Sequence, residues 1–252
     1  MNKLSLERNK IYQGNLLLVN GSCPIMGRGE RDLIPADIHF PEILMRHDAA
    51  VALQQILKEI DSADRIVPVS GYRSKAEQTA IYEETLKEKG EEFTGKYVAL
   101  PGHSEHQSGL AIDLGLNQEE IDFICPDFPY EGICEDFRKA APDYGFIERY
   151  AKEKEEITGI SNEPWHFRYV GFPHSRIMLE KGLSLEEYTE FLKSYGENNR
   201  LIYRRLEGAE IQIYYVPAKE GETVISMPET EVYQLSGNNT DGFIVTVWRK
   251  II

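Results

Sequence analysis

A single carboxylate inside an apolar run constrains this chain more than any other feature of its sequence. The segment Leu110–Leu114 reads Leu-Ala-Ile-Asp-Leu, and its alternation predicts a strand with the larger apolar side chains on one face. Asp113 shares the opposite face with Ala111. Because an unpaired buried charge is costly, the sequence predicts that Asp113 has polar or charged partners close by.

Two histidines are candidates for these partners. His106 precedes Asp113 by seven residues, across a bend at Gly109, and can approach the same point. His166 alternates with aromatic residues in a second predicted strand, 164–171. Two imidazoles and one carboxylate can provide three zinc ligands and leave the fourth coordination position open to water, which is typical of a catalytic zinc site. Spacing alone leaves open the alternative that each is an ordinary core or surface residue.

Two further charged residues complete the candidate site. Glu163 precedes His166 by three residues and is placed to act as the general base toward a water, whose pKa zinc lowers to about 7. Arg73 follows the predicted strand 66–70, and the turn at Gly71 directs it out of the end of the sheet. Arginine suits a substrate carboxylate or a developing oxyanion. An exposed arginine at a strand–helix junction is the alternative.

The remaining patterns predict a mixed α+β fold. A capping box at Ser74 and Glu77 predicts a helix start, and that helix is expected to end near Gly90. Strands are expected at 12–20, 66–70, 110–114 and 164–171. Helices are expected at 47–60, 74–90, 119–125, 131–144, 174–181 and 184–195. A loop is expected over 21–41 and a flexible segment over 90–104.

The pattern changes after Gly196, where four short β-type runs replace the helices: 201–206, 210–216, 222–226 and 243–249. We therefore expect a main domain over residues 1–198 and a small β-rich domain over residues 199–252. The role of the small domain is open. It could bind a regulator or form a homodimer, but its aromatic runs are better explained as its own core.

Composition disfavours several kinds of partner. The chain has 42 acidic and 28 basic side chains, for a formal net charge of −14, so we expect neither nucleic-acid binding nor attraction to an anionic membrane. The apolar stretch Leu16–Val19 is too short to span a bilayer, and the first ten residues lack a signal-peptide pattern. Three cysteines without a Cys-x-x-Cys motif are typical of reduced thiols. We expect a cytoplasmic protein.

Three motifs together carry a more specific signal. In chain order they are Ser70-Gly-Tyr-Arg-Ser74, Ser104-x-His-x-x-Gly-x-Ala-x-Asp113 and Glu163-x-x-His166. This order resembles the D-alanyl-D-alanine metallopeptidases of the VanX, VanY and VanXY type, most closely the bifunctional VanXY type, over residues 12–190. The resemblance implies a central antiparallel sheet surrounded by helices, as in the hedgehog N-terminal domain, and makes residues 1–198 the catalytic domain. The small C-terminal β appendage lies outside it.

The resemblance also implies roles for individual residues. His106, Asp113 and His166 would bind zinc, Glu163 would be the catalytic base, and Arg73 would stabilise the tetrahedral oxyanion. Three more residues are expected to line the substrate site, although capping, turn or core roles explain them equally well: Ser104, Gln78 and Trp165.

The implied reaction is hydrolysis beside a terminal D-residue. The expected substrates are the free D-Ala-D-Ala dipeptide and the peptidoglycan precursor pentapeptide, whose removal contributes to vancomycin resistance. The segment 90–102 is expected to cap the site and to set the length of substrate that fits. One alternative is a cell-wall metallopeptidase that cuts an L,D or L-Ala-D-Glu bond. Another is a non-catalytic zinc domain that binds a partner, and the presence of Glu163 and Arg73 argues against it.

Overall fold

The structure is a computed structural model that describes residues 2–26, 32–62, 64–204, 209–227 and 230–250. The chain forms two compact units, one over Val19–Ser184 and the other over Met1–Leu18 together with Leu185–Ile252. The division differs from the predicted boundary at residue 198, because the segments before Val19 and after Ser184 group with the β-rich C-terminal segment. Among the described residues, none of the helices combines the length and the apolar character needed to cross a bilayer.

Both units contain strands, and the predicted α+β class is confirmed. The strands are β1 Asn2–Glu7, β2 Leu33–Asp37, β3 Phe40–Arg46, β4 Ile66–Ser70, β5 Ala111–Leu116, β6 Phe146–Tyr150, β7 Glu163–Tyr169, β8 Leu201–Tyr203, β9 Ala209–Pro217, β10 Glu222–Met227, β11 Val232–Gly237 and β12 Gly242–Lys250. The α-helices are α1 His47–Glu59, α2 Lys75–Tyr97, α3 Gly132–Ala140, α4 Glu155–Thr158, α5 His174–Lys181 and α6 Leu185–Leu192. Short 3-10 turns lie at Arg8–Tyr12, Glu105–Ser108, Ala141–Tyr144 and Lys152–Lys154.

The first unit is organised by a four-stranded antiparallel sheet in the order β4-β5-β7-β6. One face of its central strands is apolar: Ile112 and Phe167 are fully buried, and the Phe167 ring packs edge-on against Phe137 at 4.8 Å. Burial of such side chains stabilises a fold by roughly 1.5–3 kcal/mol each. The opposite face therefore receives the polar residues of the same strands, among them Asp113 and His166, as the alternation predicts.

Helix α2 begins where the sequence predicts but extends beyond its predicted end. Ser74 Oγ accepts the Glu77 backbone N–H and the Glu77 carboxylate accepts the Ser74 backbone N–H, so the predicted capping box is present. Gly90 has a φ of 84° and interrupts the helical geometry where we predicted the helix to end. The chain then resumes a helical path as far as Tyr97, so the prediction of a flexible segment was wrong for residues 91–97.

Three other local predictions were wrong. Residues 13–20 form no strand, and Leu18 N–H instead donates to Asn238 O. The predicted loop 21–41 contains β2 and the start of β3, which pair as an antiparallel hairpin, while its residues 27–31 lie outside the described residues. Residues 119–125 form no helix, because the Asp122 carboxylate accepts the backbone N–H groups of Ile124 and Cys125.

The second unit contains a sheet in the order β11-β12-β9-β8 and a separate antiparallel pair formed by β1 and β10. The predicted runs 210–216, 222–226 and 243–249 coincide with β9, β10 and β12. The strand predicted at 201–206 is described only through Arg204, since residues 205–206 lie outside the described residues. Tyr214 and Phe243 are fully buried in this unit's core, as expected for the aromatic runs. Strands β1 and β11 were not predicted.

Candidate metal centre and substrate site

The structure brings His106, Asp113 and His166 together on the polar face of the first unit's sheet. One ligand atom from each lies within 4.8 Å of the others, and all three side chains are buried. Asp113 Oδ2 is 3.1 Å from His106 Nε2, and Asp113 Oδ1 is 2.9 Å from His166 Nδ1. Two imidazoles and one carboxylate at this spacing match the donor set of a catalytic zinc site.

Strand pairing and a short turn produce this cluster. Asp113 on β5 and His166 on β7 are directly opposite partners, so their side chains leave the sheet on the same face. His106 comes from the 3-10 turn Glu105–Ser108, which ends at Gly109. The Gly71 carbonyl accepts a hydrogen bond from His106 Nδ1 at 2.7 Å. Because a carbonyl only accepts, Nδ1 carries the proton and the lone pair of Nε2 faces Asp113.

The two motif glycines allow close backbone approaches around this cluster. Gly109 has a φ of 70°, and a Cβ there would lie 2.9 Å from Leu33 Cδ2. A Cβ on Gly71 would lie 2.3 Å from the Leu44 carbonyl oxygen. That carbonyl accepts the Tyr72 N–H at 2.6 Å, which holds the turn before Arg73 against β3. The glycines therefore position the segments that carry His106 and Arg73.

Glu163 reaches the same cluster through an irregularity between β6 and β7. Glu148 pairs with Phe167 and Tyr150 pairs with Glu163, so two steps along β6 oppose four steps along β7. This irregularity brings Glu163 Oε2 to 3.7 Å from His166 Nδ1 although the residues are three positions apart. Burial, with a contribution from Asp113, raises the pKa of Glu163 to about 8 despite the opposing effects of His166 and Arg73.

The electrostatic surroundings suit a bound cation. Burial and the Arg73 guanidinium lower the pKa of His106 to about 4, which keeps this imidazole neutral, as a metal ligand must be. Burial also opposes protonation of His166, but Asp113 and Glu105 outweigh it and raise the pKa of His166 to about 9. The two histidines hold the pKa of the Asp113 carboxyl well below its usual range despite its burial. Carboxylates that favour an imidazolium proton also favour a metal cation in its place.

Arg73 lies beside the cluster and is held at three points. Its Nη2 is 3.2 Å from Asp113 Oδ2, its Nη1 donates to Gln78 Oε1 at 3.2 Å, and its guanidinium lies 5.9 Å from the centre of the Phe123 ring. Gln78 in turn donates from Nε2 to the Ala99 carbonyl at 2.8 Å. Gln78 therefore connects Arg73 with the chain segment that follows α2.

These groups line a cleft that is open to solvent. Ser104 and Trp165 line it as well, and both are buried. The Trp165 ring lies 6.5 Å from that of Tyr97, at the end of α2. All eight residues singled out from the sequence contribute to the cleft: Arg73, Gln78, Ser104, His106, Asp113, Glu163, Trp165 and His166.

Sequence reasoning missed other residues of the cleft. Tyr150 lies at the end of β6, with its ring 4.8 Å from that of His166, and β6 itself was not predicted. Glu105 was read only as a variable position between Ser104 and His106, yet it is buried at the base of the cluster. Its position between two motif residues, Ser104 and His106, was the sequence feature that could have indicated a place in the site.

Comparison with known proteins identifies the family. The sequence profile of VanY, D-alanyl-D-alanine carboxypeptidase, matches residues 42–172. The chain belongs to the VanY D-alanyl-D-alanine carboxypeptidase family. It is 42% identical over 179 residues to the bifunctional D-Ala-D-Ala dipeptidase and D-Ala-D-Ala carboxypeptidase VanXYC of Enterococcus gallinarum, a match that covers 70% of this chain and 94% of that protein. The resemblance based on the three motifs is confirmed.

Two solved structures extend the comparison. The chain matches the vancomycin resistance D,D-dipeptidase VanXYg, in complex with a D-Ala-D-Ala phosphinate analog, with a TM-score of 0.97 and 63% identity over 98% of this chain and 99% of that one. It also matches a variant of the vancomycin resistance D,D-pentapeptidase VanY from a VanB-type resistance cassette, in complex with Zn(II). There the TM-score is 0.56 and the identity 30%, over 69% of this chain and 98% of that one.

Proposed function

We propose that the protein is a zinc-dependent D,D-peptidase with two activities. It hydrolyses the free D-Ala-D-Ala dipeptide and removes the terminal D-Ala of peptidoglycan pentapeptide precursors, and it thereby contributes to vancomycin resistance. One observation carries the proposal: a buried His-Asp-His cluster stands beside a buried glutamate in a chain 63% identical to VanXYg. The likeness to VanXYC, named for both activities, supports the bifunctional form.

The donor set fits zinc. His106, Asp113 and His166 would hold the ion, since neutral imidazoles and a carboxylate are ordinary zinc ligands. Zinc, when bound, supplies a Lewis acid that polarises a carbonyl and makes water easier to deprotonate. The Zn(II) complex of the VanY relative supports this choice of metal.

Two charged side chains would perform the remaining chemistry. Glu163 takes a proton from the attacking water at a carboxylate oxygen and returns it to the nitrogen of the leaving D-Ala. Burial brings the pKa of this carboxyl closer to neutral pH, the range in which a group that accepts and then returns a proton works best. Arg73 donates hydrogen bonds to the oxygen of the peptide carbonyl as negative charge develops there.

The segment 90–102 is proposed to control the length of substrate. Tyr97, Val98 and Ala99 line the cleft, and Ala99 is tied to Gln78 by a hydrogen bond. Shortening this segment is expected to change the ratio of dipeptide to pentapeptide hydrolysis. An unchanged ratio in a folded, zinc-loaded variant would eliminate the segment as a determinant of length.

A product assay tests the proposed activity. Purified, zinc-loaded protein is incubated separately with D-Ala-D-Ala, with nucleotide-linked pentapeptide ending in D-Ala-D-Ala, and with tetrapeptide ending in a single D-Ala. Mass spectrometry should detect D-Ala from the first two substrates and not the third, and a chelator should abolish its release. Release from the tetrapeptide alone would instead establish the L,D alternative. No product with any substrate would refute the peptidase assignment.

The proposal also covers the cellular location, which is the cytoplasm, and the oligomeric state. A cytoplasmic enzyme meets the nucleotide-linked precursor, and Cys23, Cys125 and Cys134 form no disulfide, which suits a reducing compartment. Cell fractionation should recover the protein with cytoplasmic markers, and recovery with membranes or medium would overturn this location. Light scattering during size-exclusion chromatography would decide between a monomer and the homodimer left open by the sequence.

A further inference from the structure

The His166 ring nitrogen that is turned away from Asp113 faces a second buried carboxylate, that of Glu105. His166 Nδ1 is directed to Asp113 and Glu163, as described above. Its other ring nitrogen, Nε2, lies 3.5 Å from Glu105 Oε2. Among the described residues, neither Nε2 nor Oε2 has another hydrogen-bond partner, and both atoms are inaccessible to solvent. Buried polar atoms without partners are rare in folded proteins, so this facing pair requires an explanation.

Glu105 is held in place by two arginines. Its Oε1 accepts hydrogen bonds from Arg149 Nε and Arg168 Nη1, each at 2.9 Å, and all three side chains are fully buried. Ion pairs buried this deeply contribute little net stability, because the cost of desolvation offsets the attraction. The arrangement does, however, orient the carboxylate so that its second oxygen faces His166.

We propose that Glu105 is a positioning residue for the metal site, acting through His166. Its Oε2 accepts the Nε2 proton of His166, which fixes the ring so that Nδ1 faces the metal. The distance of 3.5 Å needs to shorten by about half an ångström to reach the ordinary range of such bonds. The inference rests on the proposed function, because it assumes that His166 binds zinc through Nδ1.

The chemistry of metal sites explains why such a group is useful. A histidine ligand commonly donates its second ring N–H to a carboxylate, which sets the tautomer and increases the basicity of the ligating nitrogen. His106 has its own orienting acceptor in the Gly71 carbonyl. With Glu105 in this role, each of the two histidines would be oriented through the nitrogen that does not face the metal.

The first test needs no substitution. Long-range ¹H–¹⁵N spectra of the zinc-loaded full chain should show His166 with a protonated Nε2 and a metal-bound Nδ1. A zinc-bound Nε2, or an Nε2 without a proton, would overturn the proposal. Substitution of the four histidines outside the cluster, His39→Gln, His47→Gln, His103→Gln and His174→Gln, identifies their signals. The two remaining rings belong to His106 and His166 and should show opposite tautomers, because His106 carries its proton on Nδ1.

The second test measures the affinity for Zn²⁺ alone by competition with a chelator. In Glu105→Gln, the amide oxygen can still accept from the two arginines, and the amide NH₂ then faces His166 in place of the second carboxylate oxygen. The affinity for Zn²⁺ should therefore fall about 10- to 100-fold. The matched control is Glu148→Gln, which removes another carboxylate paired with an arginine, Arg138, at 2.7 Å. A loss no larger than that of the control would show that Glu105 only neutralises its arginines.

Glu105→Asp keeps the charge and is expected to restore part of the affinity. Circular dichroism establishes that each variant is folded before its affinity is compared. If Glu105→Gln fails to fold, the spectra of the parent protein and the affinity of Glu105→Asp decide the question. Neither readout uses a peptide. Intact zinc binding without D-Ala release would therefore contradict the proposed function alone, whereas D-Ala release with a deprotonated His166 Nε2 would contradict the inference alone.

Discussion

Glu163 and His166 lie three positions apart on one strand, yet Glu163 Oε2 is 3.7 Å from His166 Nδ1. A regular strand would send their side chains to opposite faces. The irregular pairing with β6 between Glu148 and Tyr150 removes that restriction. The backbone thereby places a buried carboxyl of raised pKa beside a candidate metal ligand, and the first prediction follows from this relationship.

Glu163→Gln should bind zinc normally and lose turnover. The amide keeps the size of the side chain but cannot accept a proton from water, and loss of a general base typically costs 10²- to 10⁴-fold in rate. The measurement is kcat for D-Ala release, together with zinc content per chain. Activity within tenfold of the parent protein would exclude Glu163 as the base.

His106→Ala should lose both zinc and activity, because it removes one of the three candidate ligands. The matched control is His103→Ala: His103 lies three residues away, and its Nδ1 is 2.8 Å from the Asn20 carbonyl oxygen. Metal analysis after dialysis should find zinc in the control and little in His106→Ala. A full complement of zinc in the folded His106→Ala protein would contradict the assignment of the ligands.

Gln78→Leu should lower kcat about tenfold and leave zinc affinity unchanged. Leucine cannot accept the hydrogen bond from Arg73 or donate to Ala99, so Arg73 loses one of its three fixed contacts. Direct removal of a group that stabilises an oxyanion costs more, about 10²- to 10³-fold. Thr79→Ala, on the same helix, is the control, because its hydroxyl donates only to the helix carbonyl of Lys75. A change in KM without a change in kcat would indicate that Gln78 binds substrate instead.

His174 should make stability depend on pH. Burial lowers the pKa of this histidine to about 3, whereas an unfolded chain has a histidine pKa near 6.5. Between these values the unfolded chain binds a proton that the folded chain excludes. The free energy of unfolding should therefore fall as the pH drops from about 6.5 toward 3, by at most about 1.4 kcal/mol per pH unit from this residue.

Urea titrations at pH 7 and pH 5 measure this effect. His174→Gln should lose less stability than the parent protein between the two pH values, because its unfolded chain no longer gains that proton. His39→Gln, which changes an exposed histidine, should follow the parent protein. Parallel pH dependence in all three proteins would contradict the role assigned to His174.

Residue patterns correctly predicted the structure of segments whose conformation depends mainly on their own side chains. The alternation around Asp113 predicted β5 and its polar face, and the capping box predicted the start of α2. Gly90 was predicted to end the helix but only interrupts it, because a glycine with positive φ does not reveal whether a helix resumes beyond it. The strand expected at 12–20 does not form, and the local pattern could not show this because the main chain there is held by Asn238, more than 200 residues away.

The sequence by itself determined eight of the residues that line the cleft and, through the order of three motifs, the family to which the chain belongs. Tertiary structure alone decided how those residues face one another. The β5–β7 register set Asp113 opposite His166, and the irregularity in β6 and β7 turned Glu163 toward them. Packing of the turn at Glu105 against the sheet placed a second carboxylate behind His166. Register and packing depend on contacts between distant segments, so no local pattern specifies them.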